Sequence, residues 1–167
     1  MSSFNSEKTI EESIQSILNQ DYKNIEFLIV DDGSTDNTLR IMKKLRDKDQ
    51  RIKIIENTRN IGLTKSLNQL LRISNGRYIA RQDSDDLSFP YRLTRQINFL
   101  KKTNYDIVTS RAVIKNKEVK IPKYSHLFPN KMVMKYKNPF IHGTLFLDRN
   151  VFEEVGGYDE NMKLGYE

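Results

Sequence analysis

Three carboxylates crowd into the short segment Asp83-Ser84-Asp85-Asp86. Acidic side chains this close repel one another and raise each other's pKa unless a cation or hydrogen-bond donors intervene. A hard divalent cation, Mn²⁺ or Mg²⁺, relieves the repulsion when one or two carboxylates hold it and substrate phosphates complete its shell. A calcium loop of the EF-hand kind fits poorly, since Leu87 falls at its fifth position and Ser88 at its sixth, where glycine is required. The plain alternative is a solvated acidic turn that caps the next helix. Two more polar clusters could join this one: Ser2 to Asn5, and Asp31 to Ser34.

Asp31-Asp32 admits two chemistries. LIVDDGSTDNTLRIM looks like the acidic pair of a response-regulator receiver, but that needs a phospho-accepting aspartate after a later strand. Here residues 52–55 run into Glu56-Asn57-Thr58. The other chemistry is a carboxylate accepting hydrogen bonds from a nucleobase imide or a sugar hydroxyl.

The elements that must position these clusters alternate along the chain. Ile10, Ile14, Ile17 and Leu18 share one helical face, with Thr9 and Glu12 in capping-box spacing. The apolar run Ile25 to Val30 suits a strand buried on both faces of a parallel sheet. A helix follows from a cap at Thr35 or Asp36, carrying Leu39, Ile41, Met42 and Leu45. A strand at 52–55, a helix with Leu63, Leu67, Leu70 and Leu71 ending at an Asn75-Gly76 cap, and a strand at Tyr78 to Ala80 repeat the pattern. Then come a helix from about Pro90 with Leu93, Ile97 and Leu100 inward, and a strand around Ile107 and Val108. Beyond residue 112 the period blurs: a helix between Pro129 and Tyr136, a strand at Thr144 to Leu147 and a helix at Val151 to Val155 are expected. Strand–helix alternation implies an α/β fold, a mostly parallel central sheet with helices on both faces. All three polar clusters then fall at strand carboxyl ends, where open α/β sheets bind ligands.

Composition narrows the partners. The chain has 167 residues, 37% of them hydrophobic, and no cysteine, so thiolate metal sites and thiol nucleophiles are excluded. A formal charge of +6 allows an anionic ligand or peripheral association with a membrane surface. There is no arginine-rich arm and no run of five like charges, so nucleic acid is not an expected partner. No apolar run reaches membrane-spanning length and no secretory core follows Met1, so a cytoplasmic location is expected, either free or at the inner face of the membrane.

Five segments, in order, resemble glycosyltransferase family 2: MSSFN; ESIQSILNQDYKNIEFLIVDDGSTDNT; RNIGLTKSLNQ; GRYIARQDSDDLSFPYRL; and IHGTLFLDR with VGGYDENMK. The resemblance covers essentially the whole chain. It implies a GT-A fold and an inverting transfer from a nucleoside diphosphate sugar, with UDP as the expected nucleotide, to a hydroxyl of a saccharide or lipid-linked saccharide acceptor in polysaccharide or glycoconjugate synthesis. A non-catalytic nucleotide-binding or receiver-like module is the alternative. The resemblance places Ser2, Phe4 and Asn5 in a loop near the base, Asp32 on the base edge, and Asp83-Ser84-Asp85 at the DXD motif. In that motif Asp83 faces the ribose and Asp85 the metal and diphosphate; both are expected metal ligands, with Asp86 in reserve. Gly62 is expected to let backbone approach the nucleotide, and His142 to lie on the acceptor side, as does the turn at Gly156-Gly157-Tyr158. Lys65 and Arg81 read as solvated surface charge, with phosphate contact as the alternative.

The whole chain, 1–167, reads as a single GT-A-type domain, with residues 1–111 binding the nucleotide sugar and 112–167 beginning the acceptor side. The first strand is expected to be largely missing apart from Met1. The catalytic base of the family's Glu-Asp motif is expected just past Glu167. A fragment truncated at both ends, inactive alone, is the expectation.

Overall fold

The computed structural model describes residues 1–114, 119–123, 130–136, 138 and 140–161. In chain order the elements are β1 (Ser2–Ser3), α1 (Ile10–Leu18), β2 (Phe27–Asp31), α2 (Thr38–Arg46), β3 (Ile52–Glu56), α3 (Leu63–Ile73), β4 (Tyr78–Ala80), α4 (Arg92–Lys102), β5 (Ile107–Val108), β6 (Ala112–Ile114), β7 (Val119–Ile121), α5 (Asn130–Val133), a 3-10 turn at His142–Thr144, β8 (Phe146–Asp148) and α6 (Arg149–Val155). Glu167 lies outside the described residues.

β2 is buried at every position, and its alternating side chains divide the core in two. Phe27 and Ile29 pack with Ile10, Ile14 and Ile17 of α1 and with Met42 and Leu45 of α2. Leu28 and Val30 face the other way, against Leu70 of α3. β3 pairs with β2 in parallel over the whole of both strands, from Phe27–Ile52 to Asp31–Glu56. The helices on either face are thus the βαβ crossovers that the apolar spacing implies.

The first strand is short but formed. β1 pairs in parallel with β2, Ser2 opposite Val30 and Ser3 opposite Asp31. Met1 carries the ladder one step further: its α-amine donates to Leu28 O at 2.9 Å, and its carbonyl accepts from Val30 N at 3.0 Å.

Beyond β4 the sheet is no longer purely parallel. β8 lies between β4 and β5 and runs antiparallel to both. It begins two residues later than the apolar pattern suggests, because residues 142–144 coil into the 3-10 turn. There Thr144 Oγ1 accepts from Ser110 N at 2.9 Å, which fixes the turn beside β5. Phe146 packs with Leu93, Ile97 and Leu100 of α4.

Two expected caps are replaced. α3 ends at Ser74 in extended backbone, and Glu26 Oε1 takes the amides of Asn75 and Gly76 instead. Thr9 stands at the N-cap of α1, but its hydroxyl donates to Ser6 O at 3.4 Å and caps nothing. Among the described residues no helix is long and apolar enough to cross a membrane.

Candidate functional site

The loops leaving β1, β2 and β4 are bolted to one another. Asn5 N donates to Ser34 Oγ at 3.0 Å, and Asn5 Oδ1 accepts from Thr35 N at 2.9 Å. Asn5 adopts a left-handed backbone, φ 48°, a conformation asparagine tolerates better than most side chains. Ser6 Oγ lies 3.0 Å from Ser84 Oγ, and Ser13 Oγ donates to Asp83 O at 2.9 Å. The three polar clusters picked out in the sequence therefore meet on one rim. Phe4 stands exposed there, while Ser2 is half-buried in β1.

Asp32 is buried and heavily bonded. Its carboxylate accepts from Ile61 N at 3.0 Å, Gly62 N at 2.9 Å and Asn57 Nδ2 at 2.9 Å. Burial alone would raise its pKa; the Ile61 amide, the Asn57 and Ser66 side chains and the Gly62 amide outweigh burial and hold it below the ordinary carboxylate value. A carboxylate offers about four acceptor positions, so these donors nearly fill it, and a ligand's donor would share or displace one of them. Gly62 opens α3 at φ 92°, a conformation that favours glycine, and a side chain there would meet nothing within 4 Å. Gly33, at φ 77°, is needed for a second reason: a Cβ would come within 2.6 Å of the Arg59 backbone. Next to this array, Ser3 Oγ and Asp31 Oδ1 are buried without hydrogen-bond partners, on residues paired across β1 and β2.

The acidic segment is arranged differently from the expected Asp83–Asp85 pair. Asp83 and Asp86 converge over Gly143, where a Cβ would stand 2.7 Å from Asp83 Oδ2 and 2.8 Å from Asp86 Oδ2. Asp85 lines a separate open pocket with Asn5, Ser6, Asp36 and Ser84. Burial, and then the charges of Asp83 and Asp85, push the Asp86 pKa up. Among the described residues no three His, Asp or Glu side chains meet in metal-ligating geometry. A divalent cation here would rest on one or two of these carboxylates, with substrate oxygens and water completing its shell, which is how Mg²⁺ is ordinarily held. The small residue at 143 and the crowding of Asp86 by like charges, which Arg92 and Arg81 offset only in part, fit such an ion.

Arg81 is not surface charge. It is 7% exposed, and Asp83 Oδ1 accepts from its Nε at 3.1 Å and its Nη2 at 3.0 Å. Its Nη1 lies against the His142 ring, 2.9 Å from Nε2 and in contact with Nδ1. Burial, then the Arg81 charge, lowers the His142 pKa, so the ring is neutral at pH 7. Lys65 is exposed, as its sequence context suggests. Sequence reasoning missed Arg92, whose guanidinium donates to Gln82 Oε1 at 2.8 Å, Ser88 Oγ at 2.9 Å and the Arg81 carbonyl at 2.5 Å. Burial lowers its pKa to about 10, against the pull of Asp86 and Asp83. Asn68 was missed as well. Its amide accepts from Tyr158 N at 3.0 Å and donates to Tyr158 O at 2.9 Å, placing the Tyr158 ring edge-on to His142 with centroids 5.4 Å apart.

Residues 1–158 match the model of glycosyl transferase family 2. The chain belongs to that family. Family membership removes the receiver-like alternative, and Asp32 is in any case committed to the 57–62 loop. EpsE of Bacillus subtilis (strain 168), assigned to the glycosyltransferases, is 43% identical over 161 residues, covering 95% of this chain and 58% of its own length. The Escherichia coli UDP-Glc:alpha-D-GlcNAc-diphosphoundecaprenol beta-1,3-glucosyltransferase WfgD is 38% identical over 121 residues, 68% of this chain and 47% of its own. The chain thus spans about half the length of these relatives. The fold is GT-A. It superposes on S. aureus TarS in complex with UDP with a TM-score of 0.80 at 24% identity, covering 98% of this chain and 50% of TarS. For the mannosyltransferase PcManGT from Pyrobaculum calidifontis, in complex with GDP-Man and Mn²⁺, the TM-score is 0.77 at 24% identity, over 96% and 46% of the two chains.

Proposed function

We propose that these residues form the donor half of an inverting glycosyltransferase. It moves a sugar from a nucleoside diphosphate sugar, with UDP as the nucleotide, to a hydroxyl on a saccharide or lipid-linked saccharide. The observation that carries this reading is the joining of three strand-end loops on one rim, Asn5 to Ser34 and Thr35, and Ser6 to Ser84. Asp32 is ionised and pre-oriented to accept the imide N–H of a base. Phe4, exposed on the same rim, offers a ring face to a base. Asp83, Asp85 and Asp86 are the residues that would hold Mn²⁺ or Mg²⁺, whose charge stabilises a departing diphosphate. Arg81 and Arg92 restrain that acidic loop from below. Neutral His142, whose bare ring nitrogen takes Arg81 Nη1, can donate its other ring N–H to the oxygen of an acceptor hydroxyl, orienting it without removing its proton.

The lipid-linked acceptor is supported by the activity named for WfgD, and a cation by the Mn²⁺ in the PcManGT complex. Work on a lipid-linked acceptor would suit a cytoplasmic location at the inner membrane face. Calorimetric titration with UDP tests the donor reading: binding in Mn²⁺ that weakens at least tenfold in EDTA, and again in Asp85→Asn, is expected. Equal UDP affinity with and without EDTA would remove the cation from the proposal, and no UDP binding under either condition would remove the donor reading.

A further inference from the structure

Gln82 stands between Arg81 and the acidic segment, an uncharged side chain that is 4% exposed. Both ends of its amide are fully used. Oε1 accepts from Ser88 Oγ at 2.7 Å and from Arg92 Nη1 at 2.8 Å. Nε2 donates to Asp86 O at 2.7 Å and, at longer range, to Asp83 O at 3.2 Å and Ser13 Oγ at 3.3 Å. A guanidinium only donates and a carbonyl only accepts, so the amide has a single workable orientation.

These bonds fall at both ends of one turn. Asp86 N donates to Asp83 O at 3.3 Å, which is long for a backbone pair. The carboxylates of the same two residues converge over Gly143, where like charges repel. With that one long bond the turn would tend to open. Gln82 Nε2 instead gathers the carbonyl at each end onto one nitrogen. Its Oε1 ties the amide to Arg92, which also donates to Gly143 O at 3.4 Å. Turn, amide, guanidinium and the backbone under the two carboxylates form one connected network. No charged side chain could replace the amide. A carboxylate would lose the donors to the turn and add to its negative field, and a cation would lose the acceptor for Arg92.

We infer that Gln82 is a positioning residue: by holding the Asp83 and Asp86 carbonyls it fixes the separation of their carboxylates over Gly143, and so the shape of the place a divalent cation would enter. The consequence for the cation rests on the donor reading proposed above; the hold on the turn does not. Gln20 is a control within the same molecule. It is also a buried glutamine, bonded to Ser16 O, Phe89 O and Leu93 N and to nothing in residues 83–86.

The test compares Gln82→Met with Gln20→Met, each of which removes a buried amide while keeping its length. Both variants should melt lower than the unchanged chain. In Gln82→Met alone, the backbone amide resonances of Asp86 and Gly143 should move. In the same variant the gain in UDP affinity from Mn²⁺ over EDTA should fall at least about tenfold, as when a group that orients metal ligands is removed. In Gln20→Met that gain should stay as in the unchanged chain. Unmoved Asp86 and Gly143 resonances in Gln82→Met, or equal movement in both variants, would overturn the proposal. So would a gain that falls equally in the two, since the loss would then follow stability and not the turn. Moved resonances with an unchanged gain would overturn the link to the cation. If the unchanged chain takes UDP equally well in Mn²⁺ and in EDTA, the cation reading fails, and the resonances alone decide the hold on the turn. Should Gln82→Met not fold, Gln82→Asn, whose amide falls one methylene short of the turn, gives the same comparison against Gln20→Asn.

Discussion

Asp32 and Asp86 both sit in loops that leave a strand carboxyl end, yet their surroundings are opposite. Backbone and side-chain donors converge on Asp32, among them the amides of Ile61 and Gly62, and its pKa is held down. Asp86 lies among like charges, partly buried, and its pKa is pushed up. The base-side loop is complete without a ligand and is built to keep its shape. The acidic loop holds charge that nothing in the chain neutralises fully, so it has most to gain from a cation. One rim combines a rigid half with a half poised to be changed by what binds.

The largest effect that would break this contrast is Asp32→Ala. It leaves the half-buried Ile61 amide without its acceptor, while the Gly62 amide keeps Asn60 Oδ1, and should cost about 1–3 kcal/mol by urea denaturation. UDP binding should be lost with it. Asp32→Ala with stability and UDP affinity unchanged would reduce Asp32 to a turn residue. Next is Gly143→Ala. Its Cβ would press on Asp83 and Asp86 at 2.7 and 2.8 Å, so the Mn²⁺-dependent part of UDP affinity should fall about tenfold, near 1.4 kcal/mol. Titrating the nucleotide in EDTA should show no such fall.

The acid–base behaviour sharpens the same contrast. Asp32, with a folded pKa below 3.8, contributes stability that is present above 3.8 and is lost as pH falls through its folded value. Asp86, with a folded pKa above 3.8, makes the fold less stable as pH rises from 3.8 through its folded value. Denaturation midpoints from about pH 3 to 7 should therefore show Asp32→Asn flattening the acid limb and Asp86→Asn removing a decline above it. The smallest effect belongs to His142. Its folded pKa lies below 6.5, so stability falls as pH drops through 6.5 toward that value, and His142→Gln should flatten this shallow slope. An unchanged slope in the variant would mean the ring does not titrate against Arg81.

The parts of the fold read directly from sequence are those where local pattern and packing agree. Ile25 to Val30 reads as a doubly buried strand because each of its faces meets a helix. Ile14 and Ile17, or Leu67 and Leu70, recur at helical spacing because one side of each helix is covered. What escaped depends on distant partners. β8 has three residues, too few for a period, and its direction is set by edges contributed by β4 and β5. The Asn75-Gly76 pair looks like a helix cap, but a carboxylate some fifty residues upstream takes its amides. In the site, Asp32 and the acidic segment stand out by residue type alone. Arg81 and Arg92 do not, because arginine is usually exposed and only the folded loop shows Arg81 buried and Arg92 half-buried. Gly143 was unmarked for the same reason: its small size matters only once Asp83 and Asp86 lie over it.

The bond between Asn68 and Tyr158 links residues ninety apart. Closing so long a loop costs chain entropy that local contacts do not. No residue of α6 is buried, so little apolar surface repays that cost, and the turn after it hangs on polar ties, the Asn68 amide to Tyr158 and Glu160 and an exposed Arg72–Glu160 pair, with the Tyr158–His142 ring contact. Such a segment opens at lower free energy than the β1–β3 core, in the way peripheral cooperative units do. Each opening removes the Tyr158 edge from His142 and bares one side of the imidazole to solvent, while Asp32 and its amides stay in place. The rim therefore has a hinged margin on its acceptor side and a fixed one on its base side.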